Sequence, residues 1–133
     1  MSLLIKGVQV VDGEGSVPYK ADILVQKNII SAIGDLKGRE TDLVIDGLGH
    51  YVTPGFIDAH TDSDHYLTLF SNPEQEDFLK QGITTMIGGH CGSSLAPLLY
   101  GTLESIRKWS DPRDINVDWH SIDEFLKTLH RIS

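Results

Sequence analysis

A Pro-Gly pair followed by a short apolar run constrains this chain more than any other feature. Pro54 and Gly55 interrupt the chain, and the apolar residues that follow favour a buried strand. The run ends abruptly in two side chains able to bind a metal, His60 and Asp62. Because residues two apart on a strand point to the same side, both side chains are expected to reach one ion. The pattern therefore predicts chemistry at the carboxyl end of a strand.

A third candidate ligand, Cys91, is the only cysteine of the chain. It follows the apolar run 83–87, which predicts a second strand, and a Gly-Gly pair that loosens the backbone. Neighbouring parallel strands bring their carboxyl ends to one edge, so Cys91 is expected beside His60 and Asp62. A soft sulfur ligand favours zinc over magnesium or calcium. The alternatives are a hydrogen-bonded turn at His60 and Asp62, and a small buried side chain at Cys91.

The first part of the chain is β-rich. Alternating and β-branched runs predict strands at residues 3–11, 21–26, 29–33 and 43–45, with a tight turn at residues 27–28. Such a unit presents an apolar face that needs a cover, and uncovered edge strands invite association.

The second part favours a parallel α/β arrangement. Asn72 and Pro73 predict a helix start, Gly82 predicts its end, and the strand at 83–87 follows. Strand, helix and strand in this order predict a right-handed crossover. Residues 102–109 are a further helix candidate. A capping-box pattern, Ser121 to Glu124, predicts a final amphipathic helix.

Length and charge limit the possible functions. The 133 residues are about half of the ~250 that a closed (β/α)8 barrel needs. The formal net charge of −8, with no basic cluster, argues against nucleic acid and anionic membranes as partners and leaves small molecules. The chain has no apolar run long enough to span a membrane and no secretory signal, and its single cysteine suits a reducing compartment, so a cytoplasmic location is expected.

Two motifs resemble a known family. Residues 54–60, Pro-Gly-Phe-Ile-Asp-Ala-His, resemble the first barrel strand of the amidohydrolase superfamily, usually Pro-Gly-Phe-Ile-Asp-x-His-x-His. Asp62 stands where that pattern has its second histidine. Residues 81–97 resemble the segment in which D-aminoacylases (N-acyl-D-amino-acid deacylases) carry a metal-binding cysteine, here Cys91. Residues 46–53 are also similar to the amidohydrolase approach to the barrel.

The resemblance implies an α/β fold in two parts: a β-rich half-sandwich at residues 1–52, and the first two or three βα units of a truncated (β/α)8, or TIM, barrel at 53–133. It implies a metal-dependent hydrolase that uses zinc, held partly by His60, Asp62 and Cys91, to cleave the amide bond of N-acyl-D-amino acids. Two further histidine ligands and the catalytic aspartate of the family are expected beyond Ser133. No catalytic residue is therefore assigned, and the chain itself is expected to lack turnover.

Several alternatives stay open. A cyclic-amide hydrolase of the dihydroorotase or hydantoinase type is the second enzyme hypothesis, although the Gly-His-Cys-Gly setting of Cys91 argues against it. A non-catalytic packing or assembly module is the third. The missing partner strands of the half-sandwich would leave edges through which copies of the chain could form a homo-oligomer. Asp62 in place of histidine puts a second metal in doubt.

Four further residues near the motifs are secondary candidates. Asp58 either accepts a proton from the His60 imidazole or makes an ordinary strand-end hydrogen bond. His90 is expected to point away from Cys91 if the strand continues. Asp64 and His65 follow the motif closely, where polar side chains usually form turns or helix caps, and are held in reserve as ligands.

Overall fold

The computed structural model describes residues 1–92, 94–99 and 103–132 and forms two compact units, Met1–Pro54 and Gly55–Ser133. The strands of the described residues are β1 Ser2–Val10, β2 Tyr19–Gln26, β3 Ile29–Gly34, β4 Leu43–Asp46, β5 Tyr51–Val52, β6 Phe56–Asp58 and β7 Ile83–Met86. The α-helices are α1 Thr68–Ser71, α2 Glu76–Leu79 and α3 Ile122–Ile132, and Glu104–Ile106 and Pro112–Asp114 are 3-10 helices. None of these helices is both long and apolar enough to cross a bilayer.

The first unit is one mixed sheet. β1 lies centrally, pairs antiparallel with β2, and pairs in parallel with β4 and β5. β3 returns antiparallel along β2 through a tight turn, where Lys27 adopts a left-handed conformation (φ 59°). The four predicted strands and the turn at residues 27–28 are therefore confirmed, and β5 is an addition that is too short for a period-2 pattern to reveal.

The sheet buries one cluster of apolar side chains. Val8, Val10, Ala21 and Ile23 from β1 and β2 form it. The outer strands are different, because apolar side chains of β3 and β4 remain 43–65% exposed, among them Ile29, Ile30, Ile33, Leu43, Val44 and Ile45. In the described residues, neither β3 nor β4 pairs with a further strand.

The second unit is organised around β6 and β7, which pair in parallel with a helical segment between them. This confirms the predicted strand–helix–strand order and the α/β class. Gly55 has a steric role in the pairing: a Cβ atom there would lie 2.7 Å from Cβ and 2.1 Å from Oγ1 of Thr84. The Pro-Gly pair thus permits a close approach of two strands, in addition to interrupting the chain.

The helix predicted to start at Asn72 begins later. Asn72 instead ends α1, and its backbone N–H donates to the carbonyl of Thr68 at 2.8 Å. Gln75 is buried, has a left-handed backbone (φ 46°) and donates from its side chain to the same carbonyl at 2.9 Å. These contacts hold residues 72–75 in a turn, so α2 begins at Glu76, and it ends before Gly82 (φ 80°) as predicted.

The apolar core of the second unit surrounds Trp119, which has no exposed surface. Its ring packs on Phe70 and Phe125, with centroid distances of 5.6 and 5.2 Å, and its Nε1–H donates to the carbonyl of Leu95 at 2.8 Å. The helix predicted at 102–109 is wrong: only Glu104–Ile106 is helical, as a 3-10 turn whose Ile106 is buried in this core, and Thr102 lies outside the described residues.

The capping box before α3 is confirmed. Ser121 Oγ accepts from the Glu124 backbone N–H at 3.2 Å, and the Glu124 carboxylate accepts from the Ser121 backbone N–H at 2.9 Å. The reciprocal bonds satisfy amides that the first helical turn leaves free.

Candidate metal centre

The site is built from the two segments that follow β6 and β7. Beyond the strand ends the backbone stays paired: the N–H of Ile87 donates to the carbonyl of Asp58 at 2.9 Å, and the N–H of Thr61 donates to the carbonyl of Ile87 at 3.2 Å. These bonds keep the two segments side by side after the regular strands have ended. Each segment then contributes side chains to a common surface.

His60, Asp62 and Cys91 come together on that surface. One potential ligand atom from each lies within 4.8 Å of the others, and Sγ of Cys91 is 3.9 Å from Nε2 of His60. The reason differs in part from the one expected, because β6 ends at Asp58 and the alternation of a strand no longer applies at residues 60–62. Loop geometry brings these two side chains together, whereas the parallel pairing of β6 and β7 brings Cys91.

The distances and the donor types fit a zinc ion. Nitrogen and sulfur ligands at about 2.1–2.3 Å from one tetrahedral ion lie about 3.5 Å apart, close to the observed Sγ–Nε2 separation. All three side chains are exposed to solvent. The set of imidazole, carboxylate and thiol offers three ligands and leaves one position of a tetrahedron open.

The backbone at Cys91 is unusual. Its φ is 56°, in the left-handed region, and Gly89 and Gly92 on either side also have positive φ values of 82° and 71°. A non-glycine residue in this region costs about 1 kcal/mol. Such outliers concentrate at functional sites. Here the turn directs a thiol to the surface beside His60.

The structure shows the contacts of two other residues near the motif, Asp58 and His90. Asp58 accepts from the backbone N–H of His60 at 3.0 Å, which is the strand-end hydrogen bond. His90 does not point away from the site, because the strand stops at Met86: its ring lies 4.2 Å from the His60 ring. Its Nε2 is buried and has no hydrogen-bond partner in the described part of the chain.

The two secondary ligand candidates, Asp64 and His65, are buried, with 5% and 2% of their surface exposed. Asp64 accepts from the backbone N–H of Gly89 at 2.6 Å, and Nε2 of His65 lies 3.1 Å from the carbonyl of His90. Neither residue belongs to the group of converging ligand atoms. Polar residues at such positions usually form turns or helix caps. Only the position of Asp64 and His65 directly after the motif could have indicated their contacts with the segment before Cys91.

A cavity of about 370 Å³ lies in the second unit, lined by Asp64, Met86 and the apolar side of α3. His60, Asp62 and Cys91 are not among its lining residues. The candidate ligands face solvent instead, so the described residues do not enclose a substrate beside them.

The sequence and the structure of the chain were compared with known proteins. No protein-family model matches the chain. A D-aminoacylase of Alcaligenes xylosoxydans xylosoxydans is 40% identical over 98 residues, which are 74% of this chain and 20% of that protein. The chain thus spans about a fifth of the length of the curated relatives it matches.

Solved structures agree. A D-aminoacylase described as defining a novel subset of amidohydrolases superposes with a TM-score of 0.74 and 32% identity, over 96% of this chain and 26% of that one. The N-acyl-D-glutamate deacylase of Bordetella bronchiseptica, solved with zinc and a phosphonate mimic of the tetrahedral intermediate, superposes with a TM-score of 0.75 and 28% identity, over 98% of this chain and 27% of that one.

The chain is therefore an amidohydrolase-type sequence. It is related to enzymes that hydrolyse amide bonds and to solved structures that contain a divalent metal. The family follows from the named relatives. The chain belongs to the D-aminoacylase family.

Proposed function

We propose that His60, Asp62 and Cys91 form part of a zinc centre for the hydrolysis of N-acyl-D-amino acids. The convergence of an imidazole, a carboxylate and a thiol from the segments that follow two parallel strands carries the proposal. The relatives support the substrate class, since they are named for deacylation of N-acyl-D-amino acids, and one solved relative was complexed with zinc.

The residues of this chain have separate tasks in that reaction. The Cys91 thiolate and the His60 imidazole anchor the ion, and Asp62 supplies an anionic oxygen that lowers the charge of the centre. When bound, zinc polarises the scissile carbonyl and lowers the pKa of a water molecule towards neutrality.

The scope of the proposal follows from length. The chain corresponds to about a fifth of its curated relatives, so turnover is assigned to a protein that adds the remaining barrel strands. The first unit is proposed to be the half-sandwich, and Gly55–Ser133 the start of a (β/α)8 barrel. The isolated chain is expected to show no hydrolysis above a metal-free control.

Zinc binding is the direct test. Metal-free protein is titrated with zinc against a chromophoric chelator, in the parent and in His60→Ala, Asp62→Ala and Cys91→Ala. We expect one zinc per chain and at least a 10-fold weaker affinity in each variant. His50→Ala is the matched control, since His50 is exposed in the other unit. Equal zinc binding by the parent and all three variants contradicts the centre, and a parent that binds no zinc favours the non-catalytic module.

The substrate is tested in a chimera that replaces the matching segment of the D-aminoacylase with this chain. We expect zinc-dependent release of D-amino acids from N-acetyl-D-amino acids, lost in Cys91→Ala. N-acetyl-L-amino acids serve as the control. Turnover of hydantoin or dihydroorotate in their place would favour the cyclic-amide alternative.

A further inference from the structure

We infer that the buried His65 is a positioning residue that sets the distance between the ligands of the first segment and Cys91. This inference rests on the proposed zinc centre and deepens it. His65 is 2% exposed and lies three residues after one candidate ligand, Asp62. It also contacts the residue immediately before another ligand, Cys91.

The two ring nitrogens of His65 face opposite halves of the centre. Nε2 lies 3.1 Å from the carbonyl oxygen of His90, which only accepts, so Nε2–H donates this bond. Nδ1 lies 3.4 Å from Oδ1 of Asp62, so the other edge of the ring lies against the first segment. One imidazole thus connects the segment that holds Asp62 with the segment that holds Cys91, across 25 positions of sequence between His65 and His90.

The neighbours of His65 restrict its motion. Its backbone N–H donates to the carbonyl of Asp62 at 2.9 Å, and its ring stacks on Trp109 with centroids 5.8 Å apart and an interplanar angle of 16°. Asp64 adds a second connection between the same segments, through its 2.6 Å bond from the Gly89 N–H. A functional site needs its side chains held within about 0.5 Å, and packing and hydrogen bonds of this kind provide that restraint.

A glycine at residue 88 makes the second connection possible. A Cβ atom at Gly88 would lie 3.1 Å from Oδ2 of Asp64, which is tighter than ordinary van der Waals contact. The Gly-Gly pair therefore lets the segment before Cys91 approach the buried pair Asp64 and His65. Removal of one hydrogen-bonding partner of a metal ligand typically lowers affinity 10–100-fold.

The test compares Co²⁺ binding and the Cys91–Co²⁺ charge-transfer band in the parent, His65→Phe, His65→Gln and His65→Asn. Phenylalanine keeps the stack on Trp109 but has no donor, whereas the glutamine amide can reach the His90 carbonyl and the shorter asparagine cannot. We expect about 10–100-fold weaker binding and a weaker band for His65→Phe, and recovery for His65→Gln only. His50→Phe is the control.

The outcomes separate the two proposals. Tight Co²⁺ binding by the parent with equal affinity and an equal band in His65→Phe overturns the positioning role alone. Should His65→Phe not fold by circular dichroism, equal affinities of His65→Gln and His65→Asn overturn it instead. A parent that binds no Co²⁺ through Cys91 overturns the zinc centre, and the positioning role with it.

Discussion

Sγ of Cys91 lies 3.9 Å from Nε2 of His60, although 31 positions separate the two residues. This proximity depends on the parallel pairing of β6 and β7 and on the backbone bonds that continue beyond the strand ends. Metal binding and strand pairing are therefore expected to support each other, because an ion that binds only the folded arrangement stabilises it.

Cys91→Gly is expected to remove zinc binding without loss of stability. Glycine relieves a left-handed backbone that costs about 1 kcal/mol, and its greater freedom in the unfolded chain costs a similar amount. The melting temperature of the metal-free protein should therefore stay close to that of the parent, whereas Cys91→Ala keeps the strain. Calorimetry with and without zinc measures both effects, and a zinc-dependent rise in melting temperature that persists in Cys91→Gly would contradict the role of the thiol.

Gly55→Ala is expected to destabilise the second unit, since the new Cβ would overlap the side chain of Thr84. Overpacking of this kind typically costs about 1–3 kcal/mol. Urea unfolding followed by circular dichroism measures the loss. The double variant Gly55→Ala with Thr84→Gly removes the overlap, so it should be less destabilised than the sum of the two single variants. Simple additivity would show that the contact with Thr84 is not the cause.

Trp119→Ala is expected to lower the free energy of unfolding by about 3–5 kcal/mol, because it empties the centre of the core. Trp119→Phe keeps an aromatic ring but leaves the buried carbonyl of Leu95 without its donor, which costs about 1–3 kcal/mol. The control is Trp109→Phe, a position that is 44% exposed. A larger loss at Trp109 than at Trp119 would contradict this description of the core.

The capping box predicts an acid-dependent stability of α3. Backbone N–H groups of Ser121 and His120, with the Ser121 hydroxyl, lower the pKa of Glu124 from 4.5 to about 2. Because the folded pKa lies below the unfolded one, this contribution is complete above about pH 4.5 and is lost as the pH falls towards 2. Melting temperatures between pH 6 and pH 2 should therefore fall less in Glu124→Gln than in the parent. The control is Glu14→Gln, outside the helix, whose melting temperature should change with pH as that of the parent does.

Self-association through the edges of the first unit stays a prediction. β3 and β4 expose apolar side chains, and open edges of this kind favour strand pairing between copies. Sedimentation velocity over a range of concentrations should show a dimer that Val44→Lys weakens, since a charged side chain on an edge strand opposes pairing. A sedimentation coefficient that stays at the monomer value at every concentration would exclude this self-association.

Much of the fold was predictable because the signals were local. The alternating runs of β1 to β3 and the reciprocal pattern of Ser121 and Glu124 act within a few residues, and the structure confirms them. The start of α2 was not predictable in this way. The Asn-Pro pair is a correct local signal for a helix start, but the buried side chain of Gln75 binds the preceding helix and delays the start to Glu76.

The sequence by itself determined the types of ligand: an imidazole, a carboxylate and a single thiol, each after an apolar strand. Only the tertiary structure decided that His60 and Asp62 meet Cys91 from loops beyond the strand ends. It also decided that His65 is buried and contacts both segments. The physical reason is the distance along the sequence over which each kind of interaction acts. Backbone preference and apolar periodicity act over a few neighbouring residues, whereas burial and hydrogen-bond partners depend on which distant segments the fold brings into contact.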